Sequence, residues 1–207
     1  RALLAREARS REYLAAWRRL RRAMRRGTAA RMLGFEASAL DGEDGARPEG
    51  VRAALVLRDN LRNRTRIERM YLKALGEARE DVVIANAYFL PGARMRRALV
   101  HAARRGVRVR LLLQGRYEYF LQYHATRPVY GALLRAGVEI HEYAPSFLHA
   151  KVAVVDDDWA TVGSANIDPL SMLLARQANV VVEDAVFARA QRGALEQSIT
   201  EGGRPVD

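Results

Sequence analysis

The residues best suited to carry out chemistry in this chain lie between positions 149 and 166. His149 and Lys151 stand two residues apart, Asp156 follows, and Gly163-Ser164-Ala165-Asn166 completes the set. Residues of these types at these spacings match by chance on the order of 10⁻⁸ per starting position. The pattern is therefore a specific signature, and the interpretation of the whole chain depends on it.

These side chains favour attack on a phosphodiester. An imidazole acts as a nucleophile or a general acid near neutral pH, and an ammonium group holds a nonbridging phosphate oxygen. Ser164 and Asn166 add neutral donors for the oxyanion. The set requires no cofactor, and histidines without zinc-ligand spacing in a chain that lacks cysteine predict no metal site. Asp156 is either a catalytic participant or a turn and ion-pair residue.

A β-hairpin is predicted to position these groups. Residues 149–156 are apolar and β-branched enough for a buried strand, whose two-residue period places His149 and Lys151 on one face. Successive aspartates at 156–158 predict a tight turn, and residues 159–162 predict the return strand. The hairpin should bring Gly163 and the residues after it back to the His149 end.

Strands and helices alternate through the rest of the chain after residue 50. The pattern predicts strands at 51–57, 82–88, 107–113, 138–143 and 178–183, and helices at 64–78, 92–105, 127–136 and 185–200. This alternation indicates an α/β fold with a mostly parallel central sheet and helices on both faces.

Five side chains that follow two of the predicted strands are candidates for the wall of the site, because ligands of open α/β sheets bind beyond the carboxyl ends of the strands. They are Tyr88, Phe89, Gln114, Arg116 and Tyr117. The alternative is that this partly aromatic group packs under a loop. As a wall, it would receive an acyl chain or a headgroup.

Composition narrows the class of protein and its partners. The chain has 207 residues, a hydrophobic content of 49%, a net charge of +11 and no cysteine. It can bury a sizeable core without a disulfide framework. Its charge favours an anionic partner, either acidic phospholipid or nucleic acid, and it has no apolar run of the roughly eighteen residues that a membrane span needs.

Two segments precede the alternating pattern. Residues 1–26 space apolar side chains three to four apart among arginines, which predicts an amphipathic helix that packs on a domain or lies on an anionic membrane. Residues 41–50 are polar and contain glycine and acidic residues, which predicts a linker. Residues 51–207 should then form a domain of their own.

The signature resembles that of the phospholipase D superfamily, His-x-Lys-x₄-Asp-x₆-Gly-Ser-x-Asn. The stretches Asn86-Ala-Tyr-Phe-Leu-Pro91, Phe147-Leu-His-Ala-Lys151 and Asn166-Ile-Asp-Pro-Leu-Ser171 look like the C-terminal half of a bacterial cardiolipin synthase of the B type. The resemblance implies a phospholipase D-like domain at 51–207 and a terminal helix of a truncated first domain at 1–40. It also implies phosphatidyl transfer between glycerophospholipids through a phosphohistidine.

The resemblance carries expectations for the roles of residues and for partners. Catalysis in the family uses two histidines, and His149 corresponds to the second, which is more often the general acid and base. We therefore expect a missing N-terminal half or a second copy of the chain to supply the nucleophile. We also expect the protein to bind peripherally to anionic phospholipid at the cytoplasmic face of a bacterial inner membrane. Where the family commonly has an acidic residue that supports the imidazole, this chain has Gln177.

Two other functions stay open from the residues alone. One is a homodimeric phosphodiesterase or nuclease with a single motif per chain, which the positive charge would also suit. The other is an inactive module that binds an anionic membrane or nucleic acid. The wider resemblance favours lipid over nucleic acid as the partner.

Overall fold

The structure is a computed structural model that describes residues 51–116 and 128–207. The predicted amphipathic helix at 1–26, the domain remnant at 1–40, the linker at 41–50 and Tyr117 lie outside these residues. Residues Gly50–Asp207 form one compact unit. No helix in the described ranges is long and apolar enough to cross a membrane.

In the described part of the chain, one sheet of eight strands forms the centre of this unit. The strands are β1 (Arg52–Arg58), β2 (Asp81–Asn86), β3 (Arg108–Gln114), β4 (Glu139–Tyr143), β5 (Lys151–Val155), β6 (Trp159–Gly163), β7 (Gln177–Glu183) and β8 (Gly203–Pro205). Their order across the sheet is β1-β7-β6-β5-β2-β3-β4-β8.

Helices cover both faces of the sheet, as predicted. They are α1 (Arg66–Glu77), α2 (Ala93–Arg104), α3 (128–134), α4 (Pro169–Leu173) and α5 (Ala185–Gly202). On one face, α1, α2 and α3 pack against side chains such as Ile84 and Leu111. On the other face, Ala188 and Leu195 of α5 pack against Val83 and Leu112. Alternate residues of the central strands therefore contribute to two separate cores.

The prediction of a mostly parallel sheet is wrong. Among the described strands, only the pairs β2–β3 and β3–β4 are parallel, and the other five neighbouring pairs are antiparallel. The parallel pairs are those joined by helical crossovers, α2 and α3. The chain then enters the centre of the sheet at β5 through a loop, and the tight turn before β6 reverses it, which produces antiparallel neighbours.

The predicted elements outside the motif match the structure to within about two residues at most ends. The hairpin is confirmed, although β5 begins at Lys151 rather than at residue 149. Two short elements were not predicted, α4 and β8. Helix α4 is too short for periodicity to reveal. Strand β8 has the sequence Gly-Arg-Pro, which does not favour a strand by itself, and it is extended because it pairs with β4.

Candidate active site

The signature residues meet at one edge of the sheet, which we call the site edge. Strands β1, β2, β3, β4 and β6 end at this edge, and β5 and β7 begin there. Asn86 pairs with Lys151, and Gly163 pairs with Asn179. Lys151 and Gly163 lie one residue beyond the pair Val152–Val162. Since neighbouring strands are about 4.8 Å apart, residues from four adjacent strands surround one small area.

His149 and Lys151 approach this area from the segment that leads into β5. His149 is exposed, whereas Lys151 is only 7% exposed. The Lys151 Nζ donates a hydrogen bond to the His149 carbonyl oxygen at 3.1 Å. The Ala87 N–H donates to the Ala150 carbonyl at 2.9 Å, which continues the pairing of β2 with β5 toward His149. The His149 side chain is thus accessible to a substrate, while the buried ammonium of Lys151 is held by the backbone of the same residue.

Gln114 positions the segment that carries His149. Its side-chain Oε1 accepts a hydrogen bond from the Leu148 N–H at 3.2 Å. Gln114 is the last residue of β3 and is half-buried. Sequence reasoning placed it in the wall of the site, but in the structure it fixes the backbone next to the imidazole.

The Ser164 hydroxyl is held between two residues of β7. Its Oγ donates to the Gln177 Oε1 and accepts from the Ala178 N–H at 3.1 Å. The Ser164 N–H also donates to the Ala178 carbonyl at 2.9 Å. The expectation that Gln177 supports the His149 imidazole is therefore corrected, because the partner of its side chain in the described residues is Ser164.

Gly163 is required by the close approach of β7. A Cβ at this position would lie 2.4 Å from both Cγ and Oδ1 of Asn179 and 2.5 Å from the Ala178 carbonyl oxygen. Asn179 is fully buried, and its Nδ2 donates to the Thr161 Oγ1 at 3.2 Å. The glycine of the signature thus lets β6 and β7 meet closely just before Ser164.

Asn86 is a supporting residue that sequence reasoning missed. It is fully buried at the end of β2, and its Oδ1 accepts a hydrogen bond from the Ile167 N–H at 3.1 Å. This bond fixes the backbone immediately after Asn166. In the sequence, the Asn86-Ala-Tyr-Phe stretch indicates only a family resemblance. The signal for this supporting role is a polar residue at the end of a wholly buried strand.

Asn166 has an amide group available for a ligand. Its Oδ1 is buried and has no hydrogen-bond partner among the described residues. Rotation of the amide by half a turn exchanges its oxygen for its nitrogen, so the same position can present two donor hydrogens to a phosphoryl oxygen. An amide left unpaired at this depth is stabilised when a ligand binds it.

Asp156 is a structural residue, and its assignment to catalysis is wrong. Its carboxylate accepts hydrogen bonds from the backbone N–H groups of Arg79, Glu80 and Asp81, the shortest at 2.9 Å. It has a positive φ of 48° at the end of β5 and lies about 16 Å along that strand from Lys151. The carboxylate fastens the start of the hairpin turn to the start of β2.

The remaining wall candidates differ in the solvent exposure of their side chains. Tyr88 is half-buried and lies between two backbone contacts of the site, Ala87 with Ala150 and Leu90 with Ile167. Phe89 is 2% exposed and packs in the core, so its assignment to the wall is wrong. Its side chain points to the opposite side of the chain from that of Tyr88. Arg116 is exposed, and its guanidinium lies 5.7 Å from the centre of the Phe147 ring.

The arrangement suits in-line displacement at a phosphodiester. His149 can transfer a proton, Lys151 supplies a fixed positive charge, and Ser164 and Asn166 line the same edge. In the described ranges no three His, Asp or Glu side chains come together as a metal site would require.

Comparison with known families identifies the domain. The model of the family described as "Cardiolipin synthase, PLD-like domain" matches residues 71–198, which include the whole signature. The chain belongs to this family. The matched region contains strands β2 to β7, helices α2, α3 and α4, and most of α1 and α5.

Relatives in several bacteria carry the same domain. The chain is 46% identical over 165 residues to cardiolipin synthase B of Escherichia coli K12, which covers 80% of this chain and 40% of that protein. It is 35% identical over 132 residues to the probable cardiolipin synthase YwiE of Bacillus subtilis, which covers 64% of this chain and 26% of that protein. The chain thus spans less than half the length of these relatives.

Solved structures share the fold. Nuc of Salmonella typhimurium, a phospholipase D family member, has a TM-score of 0.64 at 19% identity and covers 76% of this chain and 99% of its own. A phosphatidylserine synthase of Haemophilus influenzae has a TM-score of 0.62 at 12% identity and covers 77% of this chain and 41% of its own. The phospholipase D-like α/β fold is confirmed by these neighbours.

Proposed function

We propose that this domain is one catalytic half of a phospholipase D-type phosphatidyltransferase that makes cardiolipin. The convergence of His149, Lys151, Ser164 and Asn166 at the site edge is the observation that carries the proposal. The relatives named as cardiolipin synthases supply the choice of lipid. As the acceptor we propose phosphatidylglycerol, because phosphatidyl transfer between two molecules of this lipid gives cardiolipin and free glycerol.

The reaction proceeds in two displacements at phosphorus. A histidine contributed by the other half attacks the phosphodiester of the first phosphatidylglycerol. The bond from phosphorus to the oxygen of the headgroup glycerol breaks, and free glycerol leaves. His149 gives its proton to that leaving oxygen. The hydroxyl of a second phosphatidylglycerol then transfers its proton to His149 and attacks the phosphohistidine, which releases cardiolipin and restores both histidines.

Charge at the site edge stabilises the transition state. Lys151 is almost wholly buried, so its ammonium acts through a medium of lower dielectric constant than water. It holds one nonbridging oxygen, and the Asn166 amide donates to another. Ser164 has its hydroxyl proton committed to Gln177, so we assign it the role of fixing the loop between Gly163 and Asn166.

The partner that completes the site is a second phospholipase D-like domain. In-line attack needs one histidine on each side of phosphorus, and His149 supplies one of them. The relatives are more than twice as long as the matched region, which favours a first half of the same protein as this partner. A second copy of the chain is the alternative arrangement.

The test is the identity of the lipid product. Phosphatidylglycerol vesicles are incubated with the protein, and lipids are quantified by mass spectrometry, with His149→Ala as the inactive control and His141→Ala as a matched histidine control. Cardiolipin that depends on His149 supports the proposal. Cleavage of DNA or of a soluble phosphodiester without lipid transfer would assign the site to a nuclease. The absence of any His149-dependent product when the domain is assayed together with the half that completes its site would contradict both functions.

A further inference from the structure

The large apolar side chains that are most exposed lie at the site edge. Among the described residues with exposed large hydrophobic side chains, Leu61 is 86% exposed, Leu174 is 62% exposed and Phe147 is 56% exposed. Leu61 follows β1, Leu174 precedes β7 and Phe147 precedes β5, all at the edge where His149 lies. Solvent exposure of such side chains at one edge marks an interaction surface.

These three side chains stand on both sides of the phosphate-binding centre. In the strand order β1-β7-β6-β5, Leu61 and Leu174 belong to the first two strand ends and Phe147 to the fourth. Ser164 follows β6, which lies between them. At about 4.8 Å per strand, the apolar side chains extend across roughly 14 Å of the edge. A polar centre is thus flanked by apolar tips.

The loops that carry these tips are held in place. The Leu61 N–H donates to the Asp59 Oδ1 at 2.9 Å, and the buried Arg58 guanidinium donates to the carbonyl of Ala175, the residue after Leu174. Phe147 stands beside Leu148, whose N–H is bound by Gln114. Because their backbones are ordered in advance, insertion of these side chains into a partner costs little conformational entropy.

Exposed cations accompany each apolar tip. Arg62 follows Leu61, Arg176 lies two residues after Leu174, and Arg116 stacks on the Phe147 ring. None of the three forms an ion pair with a described residue. Their charges are therefore available to an anionic partner.

Acidic side chains are distributed unequally between the two edges. In the described loops of the site edge, the Asp59 carboxylate accepts backbone N–H groups and Asp168 is 6% exposed and caps α4. Glu201, near the end of α5, is an exposed acid on this side. The opposite edge carries exposed acids at Glu80, Asp157, Asp158 and Glu183. The site edge therefore presents positive charge with apolar tips, and the opposite edge presents mixed charge.

We propose that the site edge docks on an anionic phospholipid bilayer, with Leu61, Phe147 and Leu174 entering the interface and the flanking arginines contacting lipid phosphates. An apolar tip paired with a cation is typical of interfacial membrane surfaces, and the positive charge of this edge favours the anionic surface of a bilayer. This deepens the proposed function, because docking in this orientation places the His149 centre at the level of the headgroups. It adds a binding surface whose occupancy does not depend on catalysis.

Vesicle binding by matched triple and double variants tests the surface. The assay is co-sedimentation with vesicles of phosphatidylglycerol and phosphatidylcholine, performed in a His149→Ala background so that no lipid is consumed. Leu61→Ser, Phe147→Ser and Leu174→Ser are combined in one protein. Val51→Ser and Val186→Ser, exposed apolar positions outside the site edge, are combined in the control.

The expected loss of affinity follows from partial burial. Each apolar tip that enters the interface contributes about tenfold in affinity when half of its transfer free energy is realised, so the triple variant should bind at least about 100-fold more weakly. The control should bind within about threefold of the parent. Vesicles of phosphatidylcholine alone should bind the parent weakly, since each arginine near an anionic surface contributes about fivefold.

The arginines provide a second test. Arg62→Gln, Arg116→Gln and Arg176→Gln together should weaken binding to anionic vesicles by about 100-fold. The control combines Arg79→Gln, Arg104→Gln and Arg135→Gln, all exposed and toward the opposite edge, and should bind as the parent does. Equal losses in the two sets would show that net charge alone causes binding and would overturn the proposal.

Two outcomes separate this inference from the proposed function. If the serine triple variant binds vesicles like the parent, the docking proposal is wrong, whatever the transfer assay gives. If this variant binds vesicles like the parent and loses self-association in sedimentation, the edge is a protein interface instead. If docking is lost as expected while the protein carrying His149 makes no cardiolipin even with the half that completes its site, the docking surface stands and the phosphatidyltransfer proposal fails.

Discussion

Substitution of Gly163 by alanine tests the packing of the site most sharply. The added Cβ would lie 2.4 Å from Cγ and Oδ1 of Asn179 and 2.5 Å from the Ala178 carbonyl oxygen, whereas contacts with carbon favour about 3.5 Å or more. To remove this clash, β6 must move away from β7 by about 1 Å. This movement weakens the hydrogen bond that the Ser164 N–H donates to the Ala178 carbonyl oxygen at 2.9 Å. We expect a loss of about 3 kcal/mol from overpacking and this bond together.

Thermal unfolding measures this loss. For a domain of this size, about 3 kcal/mol lowers Tm by roughly 6–12 °C. Gly193→Ala is the matched control, because Gly193 lies inside α5 and a Cβ there meets nothing within 4 Å. It should raise stability by about 0.5–1 kcal/mol. Equal Tm values for the two variants would refute the argument that β7 requires a glycine at position 163.

A double variant separates the contribution of the Asn179 side chain to this clash from that of the Ala178 carbonyl oxygen. Asn179→Ala removes two of the three atoms that the new Cβ would meet and leaves the Ala178 carbonyl in place. The combined loss should therefore be smaller than the sum of the single losses by about 1 kcal/mol or more. Simple additivity would show that the Asn179 side chain is not the obstacle.

Three further predictions follow from contacts in and around the site. Asp156→Ala leaves the N–H groups of Arg79, Glu80 and Asp81 without their acceptor and should lower the free energy of unfolding in urea by about 1–3 kcal/mol. Turnover per folded molecule should fall less than about threefold, and a loss as large as that of Lys151→Ala would show that Asp156 takes part in catalysis. Gln177→Glu preserves an acceptor for the Ser164 hydroxyl and adds a negative charge at the site edge. Turnover should therefore rise or the pH range of activity should widen, and an unchanged pH–rate profile would contradict this. The backbone N–H groups of Asn63 and Leu61 lower the pKa of Asp59 to about 2, below its unfolded value of about 3.9. The stability this contributes is present above the unfolded pKa and is lost as the pH falls through about 2, so Asp59→Asn should flatten the loss of stability between about pH 4 and pH 2, and identical acid unfolding curves would exclude this role.

The sequence allowed the hairpin and the catalytic pair to be predicted because their signals are local. The spacing of His149 and Lys151 and the run of aspartates after them depend only on neighbouring residues. Sheet direction is not local, since it depends on where β5 inserts, and the insertion beside β2 in the antiparallel sense made the sheet mixed. The alternation of strands and helices indicated the layers correctly and the strand directions incorrectly.

The errors in the site have the same origin. Asp156 belongs to the signature by sequence, but its position at the far end of a five-residue strand removes it from the chemistry. Asn86 and Gln114 support the site through backbone contacts with residues far along the chain, Ile167 and Leu148. Such long-range hydrogen bonds leave no periodic pattern, so only the fold reveals them.

The most direct test of the central claim compares variants at the site edge in one lipid assay. Cardiolipin formed from phosphatidylglycerol vesicles is measured for His149→Ala, Lys151→Ala and Asp156→Ala at equal amounts of folded protein, each in the presence of the phospholipase D-like half that completes the site. We expect the first two to lose at least about a thousandfold and Asp156→Ala to keep most of its turnover. Full activity of His149→Ala would contradict the account, because His149 is the residue assigned to proton transfer to the leaving oxygen.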